Sequence, residues 1–232
     1  MQYGGCRIVV TPEASLRFWL PSFAFHREQS LLSEAAEFVH PGSVVWDVGA
    51  NIGLFSFAAA GLAGPHGHVY AFEPDLLLVK LLLRSARMNP KAASVDVISC
   101  GITSSLSLLR FNIAERSRAS NYVEGYGRSQ TGGVREVQTV MGISLDWVAG
   151  QIPMPDVLKI DVEGAELEVF RGAEQLLRTK RPVIILELSP QYWEEISASL
   201  WALGYTIYDS DFPASERQPL TKHAFNIIAV PS

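Results

Sequence analysis

The sequence predicts an α/β fold with a doubly wound, mostly parallel sheet, and three observations predict it. Short β-branched or apolar runs alternate along the chain with segments of helical periodicity. One such run, Val44-Val45-Trp46-Asp47-Val48, passes through a turn bracketed by Gly49 and Gly53 into the apolar Leu54 to Ala60, which reads as strand, turn and helix. Another, Val157 to Ile160, delivers Asp161 and Glu163 to a turn at Gly164 ahead of a further helical pattern. Turns of this kind lie at the carboxyl edge of a parallel sheet, where α/β proteins bind nucleotide-like ligands.

A length of 232 residues suits one domain with a substantial core. The expected division is a hairpin and helix extension over 1–42 and a Rossmann-like core over 43–232, with a long loop at 112–134. A hydrophobic share of 48% against a charged share of 19% describes a globular chain rather than a disordered one. The net charge of −5 leaves no electrostatic footprint for nucleic acid. Cys6 and Cys100 make neither a disulfide framework nor a metal-ligand spacing. No apolar run approaches the ~20 residues of a membrane span, and Met1 to Gly5 lack the features of a signal peptide. A cytoplasmic location is the resulting expectation.

In order, Arg7 to Thr11 and Leu16 to Leu20 are expected as strands around Pro12-Glu13-Ala14-Ser15, a leading hairpin. Glu28 to Val39 carries apolar residues at helical spacing and stops at Pro41-Gly42. After the Val44 to Ala60 unit, His68 to Phe72 reads as a second strand and Asp75 to Met88 as a well-packed helix. Val95 to Ser99 reads as a third strand. Leu106 to Phe111 and Arg135 to Val140 read as extended segments on either side of the 112–134 loop, which lacks helical periodicity. Ser144 is placed to cap a short helix. Beyond Val157 to Ile160 come a helix through Leu167, Phe170 and Leu176, a strand at Val183 to Leu188, a helix at Gln191 to Leu203, and strands at Tyr205 to Tyr208 and Phe225 to Val230.

The chemistry concentrates at strand ends. Gly49-Ala50-Asn51-Ile52-Gly53 fails the spacing of a dinucleotide phosphate loop, and Asp47 just before it opposes a pyrophosphate. A ligand with a cationic amine and no phosphate suits the pair, and S-adenosylmethionine is such a ligand. Gly49 and Gly53 would then let its methionine end pass close to the backbone. An ordinary strand-helix turn capped by Asp47 and Asn51 is the alternative. Glu73, twenty residues beyond Gly53 and followed by Pro74, stands where a carboxylate would hold a ribose hydroxyl pair. Cys100 and Gly101 follow the third strand, where an adenine would lie, with Cys100 as a small filler.

Asp161 is the candidate base or orienting acceptor for a nucleophile beside the ligand, with Glu163 and Glu187 as further candidates. The same three acids have the oxygen ligands for magnesium, although nothing requires a metal. Glu166 and Glu168 read as helix-start acids. Glu28 reads first as a solvated surface acid, with reach to the ligand as the alternative. Arg116, Arg118 and Arg128 read either as contacts for an anionic substrate group or as a solvated charge face. Among other functions, a nicotinamide oxidoreductase is disfavoured by the broken glycine spacing. A non-catalytic cofactor-binding or scaffold protein on the same fold stays open.

Asp47-Val48-Gly49-Ala50-Asn51-Ile52-Gly53, Ala71-Phe72-Glu73-Pro74 and Lys159-Ile160-Asp161-Val162-Glu163-Gly164-Ala165-Glu166 resemble, in order and spacing, the three signatures of the FkbM-type methyltransferases. The likeness runs from about Glu28 to the end. It implies a class I methyltransferase fold, with a seven-stranded sheet whose last strand is antiparallel, and S-adenosylmethionine as cofactor. It also implies O-methylation of a small-molecule hydroxyl on a sugar, polyketide or similar compound. Ser85 departs from the family, whose members often carry Asn midway along the second helix. The chain lacks the Asn/Asp-Pro-Pro-Tyr turn that amine-directed nucleic-acid methyltransferases place after their fourth strand, which favours a hydroxyl acceptor.

Overall fold

The computed structural model describes residues 1–15, 26–115, 118–127 and 132–232, with the side chains at 15, 26–28 and 119 outside that description. The chain opens with β1 (Gln2–Tyr3), β2 (Cys6–Arg7), α1 (Pro12–Ser15) and α2 (His26–Phe38). The first half of the core is β3 (Val44–Val48), α3 (Leu54–Ala63), β4 (His68–Phe72), α4 (Leu76–Arg87) and β5 (Ser94–Ile98). Then come β6 (Gly101–Ile102), β7 (Ser107–Ala114), β8 (Tyr122–Val123), β9 (Val134–Ile143) and α5 (Leu145–Ala149). The second half is β10 (Val157–Ile160), α6 (Glu166–Arg171), α7 (Glu174–Thr179), β11 (Val183–Glu187), α8 (Trp193–Ala202), β12 (Tyr205–Asp209) and β13 (Asn226–Pro231).

Seven strands form the main sheet in the order β12-β13-β11-β10-β3-β4-β5. All neighbours from β11 to β5 are parallel, and β13 runs antiparallel to both of its partners. The side-chain period of two along each strand builds two cores. Val45 and Val157 pack with Leu31, Phe57 and Leu82 from α2, α3 and α4 on one face. Trp46, Val48, Leu158 and Ile160 pack with Phe170, Leu176 and Ile196 from α6, α7 and α8 on the other. The same alternation sends Asp47 and Lys159, cross-strand partners on β3 and β10, to the α3 side.

Two expectations need correction. The leading hairpin is β1 and β2, turning through Gly4-Gly5, and Pro12–Ser15 is a helical turn rather than its loop. The strand expected at Leu16 to Leu20 lies outside the described residues. The 112–134 segment is not one loop: β7 runs on to Ala114, β8 pairs with β7 through Phe111 and Asn112, and β9 begins at Val134. Together with β6 these strands form a second, four-stranded sheet, order β6-β9-β7-β8. Leu109, Phe111, Ile113, Val123 and Val140 make its buried face. Ser85 ties the amino-terminal segment to α4, since its hydroxyl accepts from Val9 N at 2.9 Å and donates to the Leu81 carbonyl at 2.9 Å.

Candidate active site

The turn after β3 is bound on both sides by main chain. Gly49 N and Ala50 N donate to the Phe72 carbonyl, and Asp161 N donates to the Val48 carbonyl. Gly49 sits at φ 79° with the Asp161 backbone so near that a Cβ would fall 1.9 Å from its carbonyl oxygen. Only glycine fits. Asn51 also takes a left-handed φ of 54°, with its Oδ1 accepting from Ile52 N at 2.8 Å.

Two cavities open on either side of this turn and share Gly49, Asn51, Asp161 and Glu163. The first runs from Glu73 and Pro74 past Cys100, Gly101 and Phe111 to Arg118. The second is lined by Ala50, Leu31, Phe55, Lys159 and Glu187. The chain thus brings Gly49, Ala50, Asn51, Glu73, Pro74, Cys100, Gly101, Asp161, Glu163 and Glu187 to two cavities with a shared lining. Asp47 and Gly53 line neither cavity. Asp47 is fully buried beneath the turn, where Ser56 Oγ donates to its Oδ2 at 2.5 Å and Lys159 Nζ stands 3.3 Å from Oδ1. Its carboxylate is already paired, so it does not present itself to a ligand amine. Gly53 faces the helices: a Cβ there would meet Leu82 Cδ2 at 2.6 Å and Phe57 Cε2 at 2.7 Å.

Burial shapes the electrostatics. Glu73 accepts from Asn51 N and Asp75 N, each at 2.8 Å, yet burial together with the charges of Asp75 and Asp47 raises its carboxyl to about 8. Glu163 is raised to about 7 by burial, then by Asp161, Glu187 and Glu166. Lys159 Nζ lies 3.2 Å from Asp161 Oδ2 and so joins Asp161 to Asp47. Burial and the neighbouring Glu73 push the Cys100 thiol up to about 12, which suits a protonated filler. Glu166 is a helix-start acid but also buried, accepting from Ser189 Oγ at 2.8 Å. Among the described residues no three His, Cys, Asp or Glu side chains are grouped to hold a metal ion.

Arg118 is neither a solvated charge nor open to a substrate anion. Its Nη1 donates to Asp75 Oδ2 at 2.5 Å and its Nη2 to Glu13 Oε1 at 2.8 Å. Arg116, Arg128 and the Glu28 side chain lie outside the described residues.

The pattern of the Methyltransferase FkbM domain matches residues 47–207, well over half of the sequence. The chain belongs to the FkbM methyltransferase family. Hexuronic acid methyltransferase AglP of Haloferax volcanii is 30% identical over 158 residues, covering 68% of this chain and 61% of that protein. Methyltransferase sdnD of Sordaria araneosa is 28% identical over 155 residues, covering 56% of this chain and 60% of that protein. The FkbM chain therefore spans about 60% of the length of these relatives. A crystal structure of methyltransferase FkbM from Methylobacillus flagellatus superposes with a TM-score of 0.55 at 16% identity, over 81% of this chain and 43% of that one. The S-adenosylmethionine-dependent O-methyltransferase of Thermotoga maritima gives 0.50 at 13% identity, over 93% and 69%. The shared fold is that of the class I methyltransferases, as the sheet order and the antiparallel β13 require. No described helix is long and apolar enough to cross a membrane.

Two residues lining these cavities are absent from the site candidates that the sequence offers. Lys159 sits inside the apolar Val157 to Ile160 run, and a charge there demands a buried partner, which was the signal available. Asn121 resembles any polar loop residue, yet it is buried, donating to Asp75 Oδ2 and accepting from Ala114 N.

Proposed function

We propose that this FkbM domain binds S-adenosylmethionine in the first cavity and transfers its methyl group to a hydroxyl of a small molecule, sugar-like or polyketide-type. The observation that carries the reading is the lining of the first cavity, which runs from Glu73 and Pro74 to the backbone at Gly49 and on to the acids Asp161 and Glu163. An extended ligand fits there with one end at Glu73 and the other beside the acids. The residues suit this cofactor: Gly49 offers bare backbone, Glu73 keeps lone pairs for a ribose hydroxyl pair, and Ile102, Phe111 and Val123 give apolar walls for a base.

Bound S-adenosylmethionine supplies a methyl on a sulfonium, open to in-line displacement. Glu163 lines both cavities and, with its carboxyl near 7, takes the proton of the acceptor hydroxyl. Asp161, fixed by Lys159, orients that hydroxyl. Glu187 adds to the field that keeps Glu163 basic. This exchanges the roles expected from sequence, where Asp161 stood first. A sugar-type acceptor draws further support from the hexuronic acid methyltransferase relative.

Calorimetric titration with S-adenosylhomocysteine and, separately, with NAD tests the reading. Binding of the first alone is expected, followed by transfer of labelled methyl to members of a hydroxyl-compound panel. Failure to bind at millimolar concentration would overturn it.

A further inference from the structure

The guanidinium of Arg118 is 5% exposed and lines the first cavity with Glu73, Ile102, Phe111 and Val123. Both Nη atoms are engaged by Asp75 and Glu13, and Arg135 approaches the same Glu13 oxygen at 3.4 Å. Nε is different: it is buried and has no hydrogen-bond partner among the described residues. A buried donor left unpaired costs about 1–3 kcal/mol, so this fold carries a donor that a ligand can satisfy. Because two carboxylates already meet the charge of Arg118, and Glu73 shares the cavity, a further anion is not called for. A neutral acceptor is. Apolar walls at Ile102, Phe111, Val123 and Val162 suit a flat ring carrying that acceptor.

We propose that Arg118 Nε–H donates to a ring nitrogen of the cofactor's purine, making Arg118 a specificity-determining residue of this site. The inference rests on the S-adenosylmethionine reading above. Asn121 gives the arrangement its rigidity. Its Nδ2 holds Asp75 Oδ2 at 2.9 Å, the same oxygen that holds Nη1, so the fork is pinned from two sides. Asp75 is also the side-chain cap of α4, accepting from Leu77 N at 2.8 Å, and its own N–H donates to Glu73. Glu73, placed for the ribose, and Asp75, which anchors the group placed for the base, are therefore two residues apart on one turn.

The test titrates S-adenosylhomocysteine, and analogues in which each purine ring nitrogen in turn is replaced by C–H, into the full chain by calorimetry. One analogue is expected to bind about tenfold to a hundredfold more weakly than the parent, the range for losing a hydrogen bond to a charged donor. Arg118→Lys keeps the positive charge and puts a methylene where Nε stood, so in that variant the same analogue and the parent should bind alike. Equal binding of the parent and all the analogues by the unaltered chain would overturn the inference, whether or not the variant folds. If the unaltered chain does not bind S-adenosylhomocysteine at all, the cofactor reading falls and this inference with it.

Discussion

Lys159 and Asp47 face each other across the β10–β3 pair, Nζ to Oδ1 at 3.3 Å, with Lys159 only 5% exposed and Asp47 not at all. The two are unequal. Lys159 has a second carboxylate in Asp161, whereas Asp47 otherwise accepts from the neutral Ser56 hydroxyl. Removing the cation strands a buried anion, while neutralising Asp47 leaves the cation still paired. Lys159→Met is therefore expected to destabilise the fold by about 3–5 kcal/mol and Asp47→Asn by clearly less. Urea denaturation of both variants reads the difference directly, and an equal or reversed order would show that the pair is not organised this way.

Gly49 and Gly53 bracket the same turn but face different surroundings, so alanine should separate them. At Gly49 the new Cβ meets the backbone of Asp161, which cannot swing aside, and the wall shared by both cavities must shift. Gly49→Ala should lose cofactor affinity as well as stability. At Gly53 the obstacles are the side chains of Leu82 and Phe57, and the left-handed φ of 89° adds strain. A stability loss of about 1–3 kcal/mol with near-normal affinity of the folded protein is expected there. Thermal denaturation and calorimetry on each variant decide it.

The main sheet was legible because its strands are buried on both faces and appear as short apolar runs closed by turn residues. His68–Phe72 and Val157–Ile160 fall where the runs place them. The second sheet was hidden by its own surface. Leu108 and Met141 are paired on its outer face and exposed, which blurs the alternation that marks a half-buried strand. Arg118 and Asn121 are buried polar residues whose partners, Asp75 and Glu13, come from distant parts of the chain, so their composition looks like that of a solvated loop. In the site, acids at strand ends were legible as neighbours because topology alone brings strand ends together. The burial of Asp47 was not, since it depends on which face of β3 the side period assigns to α3.

Glu73 makes the ligand-free protein sensitive to pH in a defined direction. Between about 4.5 and 8 the folded chain keeps a proton at Glu73 that the unfolded chain has released, so its contribution to stability falls as pH rises through that window. Hydroxyl groups donating to the ionised carboxylate favour the opposite state. Cofactor binding should therefore release a proton, and affinity should rise with pH, by about tenfold per unit at most, levelling off near 8. Calorimetry in buffers of different ionisation enthalpy measures the proton directly. Glu73→Gln should abolish the release and weaken binding about tenfold or more.

Glu163 and Asp161 compete for the role of base, and pH separates them. With Glu163 raised to about 7 by burial and by Asp161, Glu187 and Glu166, kcat/KM should rise with pH to an apparent pKa near 7 and then stay level, because the base works unprotonated. Glu163→Gln should remove that limb and lower kcat by about 10²–10⁴-fold while the affinity for S-adenosylhomocysteine changes little. Asp161→Asn should act differently. It takes away one of the charges that hold Glu163 high, so the limb should survive and move to lower pH. If the limb instead vanishes in Asp161→Asn and persists in Glu163→Gln, Asp161 is the base and Glu163 only shapes its field.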